Sequence, residues 1–312
     1  MKFWMNWPPI TKLKNLLLPD FLIQIDLMPA SKKTSSLTAL LAAICDQIQA
    51  HTETPGLDAQ VLLAYICQRD RSWLLAHPEY VLSSEEAAQL DHNLNQIKAG
   101  TPLPYVLGEW EFFGRKFKVT PDVLIPRPET ELLVETAIDW LPIHPDKRLV
   151  AEAGTGSGCI AVSLAAAIPD LQITATEISP LAIAVARENL SRHALQDQIT
   201  IWEDDLLTNQ PGPFDLITAN PPYIPTNTLR QLSVYQREPT LALDGGQDGL
   251  DLIKRLLAQS TNRLAPGGLI LLEIESDQGD SVLSLTDEYF PLAKSQVKPD
   301  LAGLPRLLEV QT

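Results

Sequence analysis

Arg148-Leu149-Val150-Ala151-Glu152-Ala153-Gly154-Thr155-Gly156-Ser157-Gly158 is the stretch on which the fold turns. Its first six residues read as a short strand, the glycines as a turn, and the apolar run from Cys159 to Ala167 as the helix that follows. A glycine-rich turn between a first strand and a helix lets a nucleotide-like ligand approach the backbone at the carboxyl edge of an open α/β sheet. The spacing is G-x-G-x-G with Cys159 in the sixth place, where a dinucleotide fingerprint has glycine or alanine, so NAD is disfavoured. Further along, Gln172 to Thr176 reads as a second strand, and Glu177 at its end is placed to hydrogen-bond both ribose hydroxyls of a nucleoside. A solvated acid at a strand end is the plainer alternative for Glu177. A third strand, Gln198 to Glu203, closes on Asp204-Asp205, where an acid can accept from an adenine amino group and Leu206 can cover the ring.

A fourth strand-like run, Phe214 to Ala219, leads into Asn220-Pro221-Pro222-Tyr223. A planar NH2 group is a poor nucleophile because its lone pair is delocalised, so a site that alkylates it must orient it and accept its protons. Asn220 offers a side-chain carbonyl and Pro221 a backbone one. Two consecutive prolines fix φ and remove two donors, leaving acceptor oxygens at the loop, and Tyr223 can stack on the flat group. The same tetrapeptide also serves as an ordinary Asn-Pro turn that ends a strand.

In chain order this gives a glycine loop, a ribose acid, an adenine-side acid and an NH2-orienting loop, an order that resembles S-adenosylmethionine methyltransferases. Together with Arg127-Pro128-Glu129-Thr130-Glu131, Glu238-Pro239 and the run Ala242 to Leu250 containing Gly245-Gly246-Gln247-Asp248-Gly249, the chain resembles the HemK/PrmC family from about residue 36 to its C-terminus. The resemblance implies a Rossmann-like α/β methyltransferase sheet with a small N-terminal helical domain. It implies methylation of the glutamine in the Gly-Gly-Gln loop of peptide-chain release factors, with S-adenosyl-L-methionine as cofactor. On it, Glu152, Gly154, Thr155, Gly156, Ser157, Gly158, Glu177, Asp205, Leu206 and Asn220 are expected to hold the cofactor. Asn220, Pro221, Pro222, Tyr223 and Arg127 are expected to hold the substrate, with Asn220, Pro221 and Tyr223 at the chemistry. Three positions depart from the family pattern: Glu152 and Glu177 stand where Asp is usual, and Leu206 where some members have Trp.

The 312 residues, 45% hydrophobic, suffice for a sizeable core and suggest more than one domain. A formal net charge of −15 repels phosphate backbones, and no Lys/Arg run is long enough to form a basic patch, whereas a cationic sulfonium suits an acidic lining. Cys45, Cys67 and Cys159 are odd in number and widely spaced, which fits a reducing cytoplasm; Cys159 reads as a packing residue behind the glycine loop in preference to a nucleophile. The five histidines show no metal-ligand spacing, and no metal is expected.

Residues 1–30 are expected to be a flexible extension, too broken by Pro19, Asp20 and Asp26 for a membrane span or a secretory core, with Met28 an alternative start. Residues 31–100 read as the helical substrate-recognition domain, or as a stabilising cap only. Its helical spacing is carried by Leu37, Leu40, Leu41, Ile44 and Ile48, and Ser83 to Glu86 forms a capping box. Residues 101–125 read as a linker and a hairpin with its turn at Gly114-Arg115, and 126–312 as the catalytic domain, with an antiparallel edge near Ala293 to Lys298 and Arg306 to Val310. The expected partners are release factors, with no direct nucleic acid, no membrane and a monomeric chain. Two other classes stay open: a nucleic-acid exocyclic amino methyltransferase, which calls for a basic cleft, and a non-catalytic cofactor-binding module.

Overall fold

The computed structural model of the protein describes residues 36–312; the extension expected over residues 1–30, with Met28, lies outside the described residues. Ser36 caps α1 (Leu37–Ile48) by accepting from the Ala39 amide at 3.3 Å. Pro55 opens α2 (Pro55–Cys67), where a missing amide proton costs nothing. After the short α3 (Arg71–Ala76), the capping box starts α4 (Ser84–Lys98): the Glu86 amide donates to Ser83 Oγ at 3.2 Å and the Ser83 amide to Glu86 Oε2 at 2.7 Å. The segment read as a linker contains α5 (Leu103–Leu107), whose Leu103 and Leu107 enter the same buried cluster as Leu37, Ile44, Leu62 and Leu94. The helical core therefore continues past residue 100.

Strands β1 (Glu109–Phe112) and β2 (Arg115–Lys118) form the hairpin. Its central turn residues are Phe113 and Gly114, with φ of 49° and 68°, the pair of positive angles that a two-residue type I′ turn requires. The turn thus falls one residue earlier than Gly114-Arg115. A tertiary contact decides it, since the Phe113 amide donates to Glu131 Oε1 at 2.8 Å, and Phe112 and Phe117 both bury against the sheet domain.

From α6 (Glu131–Trp140) onward, strands and helices alternate: β3 (Leu149–Ala153), α7 (Cys159–Ala167), β4 (Gln172–Glu177), α8 (Pro180–Arg192), β5 (Ile199–Glu203) and β6 (Phe214–Ala219). The one-turn α9 (Thr226–Leu229), then α10 (Asp251–Ser260), β7 (Leu264–Glu273), α11 (Gly279–Tyr289), β8 (Lys294–Pro299) and β9 (Pro305–Gln311) complete the chain. Seven strands make one sheet in the order β5-β4-β3-β6-β7-β9-β8. The pairs from β5 to β7 are parallel, and β9 runs antiparallel to both β7 and β8, as the edge expected from sequence.

Side chains alternate along each strand, so both faces of the sheet are covered. Val150, Leu216, Leu269 and Leu271 bury on one face with residues of α6, α7 and α8. Ala151, Ala153, Ile217, Ile270 and Leu272 bury on the other, with residues of α10 and α11. After β5 the chain crosses to the far side of β3 to make β6, so the strand order reverses between β3 and β6. Loops leaving neighbouring strands there diverge to opposite faces and open a crevice at the carboxyl ends.

Candidate active site

A cavity of about 450 Å3 lies at those carboxyl ends, and the four motifs converge on it. Gly154, Thr155, Gly156 and Ser157 line it from the end of β3. The Gly154 and Thr155 amides both donate to the Thr176 carbonyl at 2.9 Å, which pins the turn to β4. Gly154 and Gly156 have φ of 72° and 55°, and a Cβ on either would meet nothing within 4 Å, so each leaves the cavity wall open. Gly158 differs: it is not part of the wall, and a Cβ there would stand 3.4 Å from Leu190 Cδ1 and 3.5 Å from Ala186 Cβ. Its role visible here is the close approach of α7 to α8. Cys159 behind it is buried, its thiol pushed up to about 12 by desolvation, which suits packing and not nucleophilic attack.

Glu152, one residue before the end of β3, is 1% exposed. Its Oε2 accepts from Thr155 Oγ1 at 2.8 Å and from the Ala161 amide at 3.0 Å, while Oε1 has no partner among the described residues. Desolvation raises this carboxyl to about 8, against the lowering effect of those two hydrogen bonds and with a small push from Glu177. The oxygen left without a partner thus lies beside the open glycine turn.

Glu177 also faces the cavity, with Oε1 accepting from the Ser179 amide and Oε2 from the Gly156 amide, both at 3.0 Å. The two acids after β5 have separated roles. Asp204 accepts from the Asp205 and Asn209 amides, Asn209 Nδ2 and Gln210 Nε2, all at 2.9 Å. Burial opposes its charge, but the Gln210 and Asn209 hydrogen bonds outweigh that and hold its carboxyl below the usual range. Asp205 instead pairs with Arg255 of α10 at 2.5 Å, on the wall beside Leu206. Sequence reading did not find Arg255, nor the exposed Ile178 and Leu181, which give the same wall an apolar flank.

At the end of β6, Asn220 Nδ2 donates to Thr130 Oγ1 at 3.0 Å, and Thr130 in turn donates to Glu273 Oε2 at 2.6 Å. Among the described residues nothing donates to Asn220 Oδ1 or to the Pro221 carbonyl. Asn220, Pro221 and Pro222 line the cavity. Tyr223 does not; its ring packs against the apolar cluster on the α10 and α11 face, and its hydroxyl donates to Glu273 Oε1 at 3.1 Å. The stacking surface expected of Tyr223 is therefore turned inward in this structure. Glycines hold the loop from behind: a Cβ on Gly245 would stand 2.7 Å from Tyr223 Cα and 2.8 Å from the Pro222 carbonyl, so only glycine admits that approach.

Arg127 reaches the cavity, but its guanidinium already has a partner. Its Nη2 pairs with the buried Glu238 at 2.5 Å, and Glu238 also accepts from the Ile125 amide at 3.1 Å. Glu238 and Arg127 further line a second cavity, which reaches between the helical region and the sheet domain past Ile48, Asp58 and Ile97. Both arginines on the main cavity wall are thus spent on carboxylates, and Glu152, Glu177 and Asp244 leave the lining acidic.

Residues 39–108 match the family model described as the PrmC N-terminal domain, and residues 128–237 the one described as the methyltransferase small domain. The release factor glutamine methyltransferase of Moorella thermoacetica is 44% identical over 256 residues, 81% of this chain and 90% of that protein. The enzyme of the same description from Koribacter versatilis is 39% identical over 265 residues, 83% of this chain and 92% of that protein. Among solved structures, the hMettl16 catalytic domain in complex with MAT2A 3'UTR hairpin 1 aligns with a TM-score of 0.50 at 16% identity, over 87% of this chain and 90% of that one, a likeness of fold.

Proposed function

The chain belongs to the release factor glutamine methyltransferases, and from that premise we propose that it methylates the side-chain amide nitrogen of the glutamine in the Gly-Gly-Gln loop of peptide-chain release factors. The observation that carries the reading is the pair of acceptors, Asn220 Oδ1 and the Pro221 carbonyl, which receive nothing from the described residues and stand on the wall shared with the glycine turn. The methyl donor is S-adenosyl-L-methionine, which supplies a carbon bound to a sulfonium and open to in-line attack. The residues present fit it: Glu152 Oε1 can accept from the methionine ammonium once the carboxyl gives up its proton, and Gly154 and Gly156 leave the backbone accessible. Glu177 is assigned to the ribose hydroxyls, and Asp205 and Leu206 to the adenine.

Asn220 and Pro221 do their work on the substrate amide. As its nitrogen is alkylated it gains positive charge, and its protons become better donors. Acceptors aimed at those protons therefore bind the transition state more tightly than the ground state. Holding the flat amide in one orientation supplies the remainder. The charged product nitrogen loses its proton to solvent once the bond has formed, so no general base is assigned.

The helical domain expected over 31–100, described from Ser36, and Arg127, which with its partner Glu238 lines the second cavity, are assigned to gripping the release factor. The acidic lining disfavours a nucleic-acid backbone, and no helix among the described residues is long and apolar enough to cross a membrane. A monomer working in the cytoplasm, where release factors act, completes the proposal. Incubating the protein with a purified release factor and labelled S-adenosylmethionine tests it. One methyl on the Gly-Gly-Gln glutamine is expected, and label appearing on RNA or DNA but not on the release factor would overturn it.

A further inference from the structure

Asparagine is ambiguous as an acceptor, because a half-turn of its amide exchanges the carbonyl for NH2 with little change in shape. A flipped Asn220 would set a donor against the donor of the substrate. The donor count behind Asn220 removes that ambiguity. Glu273 ends β7, next to β6 in the sheet, is 1% exposed, and in its ionised form, which the donors Thr130 and Tyr223 favour against desolvation, can only accept. It receives Thr130 Oγ1 on Oε2 at 2.6 Å and the Tyr223 hydroxyl on Oε1 at 3.1 Å. Thr130, 2% exposed, has a single hydroxyl proton. Because Glu273 takes that proton, Thr130 Oγ1 can only accept from Asn220, and the amide must turn Nδ2 toward it, as it does at 3.0 Å. Oδ1 is then left for the cavity.

Resting on the assignment of Asn220 as the substrate acceptor, we propose that Thr130 and Glu273 are positioning residues which lock the polarity of the Asn220 amide, with Tyr223 holding the second carboxylate oxygen. The relay explains why an ionisable side chain is kept in a site that gives it almost no water. It also gives Tyr223 a place in the reaction from the far side of the loop, without touching the substrate.

Thr130→Val and Thr130→Ser separate a hydrogen-bonding role from a packing one, since valine keeps the volume and loses the hydroxyl while serine does the reverse. Thr130→Val is expected to lower kcat on the order of 10- to 100-fold. Its KM for the release factor, and its S-adenosylmethionine affinity measured by calorimetry, should stay within about threefold of the parent, the pattern expected when an interaction made only in the transition state is removed. Thr130→Ser should recover to within about threefold of wild type in kcat, a milder loss because its hydroxyl can still relay. If Thr130→Val does not fold, Thr130→Cys, close to serine in size with a far weaker donor and acceptor, makes the same comparison and must fall below Thr130→Ser. Valine or cysteine matching or exceeding serine, while Asn220→Ala is inactive, would overturn the relay and leave the acceptor assignment standing. An active Asn220→Ala would instead remove the assignment on which the relay rests.

Discussion

Replacing Glu152 by glutamine should change how the stability of the ligand-free protein depends on pH. The carboxyl is 1% exposed and desolvation lifts it from 4.5 to about 8. The folded chain therefore keeps a proton that the unfolded chain gives up near 4.5, and the folded state binds more protons throughout that interval. Stability from this group is present in full below about 4.5 and is lost as pH rises through about 8, with a slope of at most about 1.4 kcal/mol per pH unit. Glu273, raised to about 7 by desolvation, acts with the same sign in an overlapping window, so the informative quantity is the difference between wild type and variant. Urea unfolding of both proteins at several pH values from about 5 to about 8 measures it. Glutamine can still accept from Thr155 and Ala161 but cannot titrate, so wild type should lose stability relative to the variant steadily with rising pH. A difference that stays constant across the range would refute the buried, proton-retaining state of Glu152. The same pair tests the ligand assignment: S-adenosylmethionine binding near pH 7 should release a proton from wild type, seen as a dependence of binding heat on buffer ionisation enthalpy, and less from Glu152→Gln.

Asn220→Ala should lower kcat by a factor set by about 2.7–4 kcal/mol, the scale of deleting one oxyanion-type hydrogen bond, with cofactor affinity within a few fold; equal activity would sink the mechanism. Gly156→Val places a branched side chain at a φ of 55° on the cavity wall, so calorimetry on the folded variant should find S-adenosylmethionine binding abolished, beside a folding cost of about 1–2 kcal/mol. Normal affinity there would mean that the pocket is misplaced. Gly249→Ala drives a Cβ into the Tyr223 carbonyl and to within 2.8 Å of Gln278 Nε2 at a φ of 78°, so thermal unfolding should show a clear loss of stability, and a melting temperature equal to wild type would contradict the crowding.

Much of this protein was legible in its sequence because the relevant signals are local. Glycines at positive φ, a capping box and two-residue alternation act over a handful of neighbours, and strand ends can be read from where alternation stops. Glu152, Gly154, Glu177, Asp205 and Asn220 could therefore be placed at strand ends, and a parallel sheet brings such ends to one edge whatever the details of packing. The departures were decided by partners far along the chain. Thr130 meets Glu273 across 143 residues and Arg127 meets Glu238 across 111, pairings that exist only once β7 lies beside β6 and the segment after β6 has folded back. The hairpin turn shifted by one residue because Glu131 captures the Phe113 amide, and Tyr223 turned inward because a buried carboxylate needed a donor. Sequence by itself determined which strand ends meet at the cavity; tertiary structure decided which residues line it, adding Arg255 and turning Tyr223 away, and which of their atoms are already satisfied, since a hydrogen bond depends on proximity in space and its donor and acceptor need not be near in the chain.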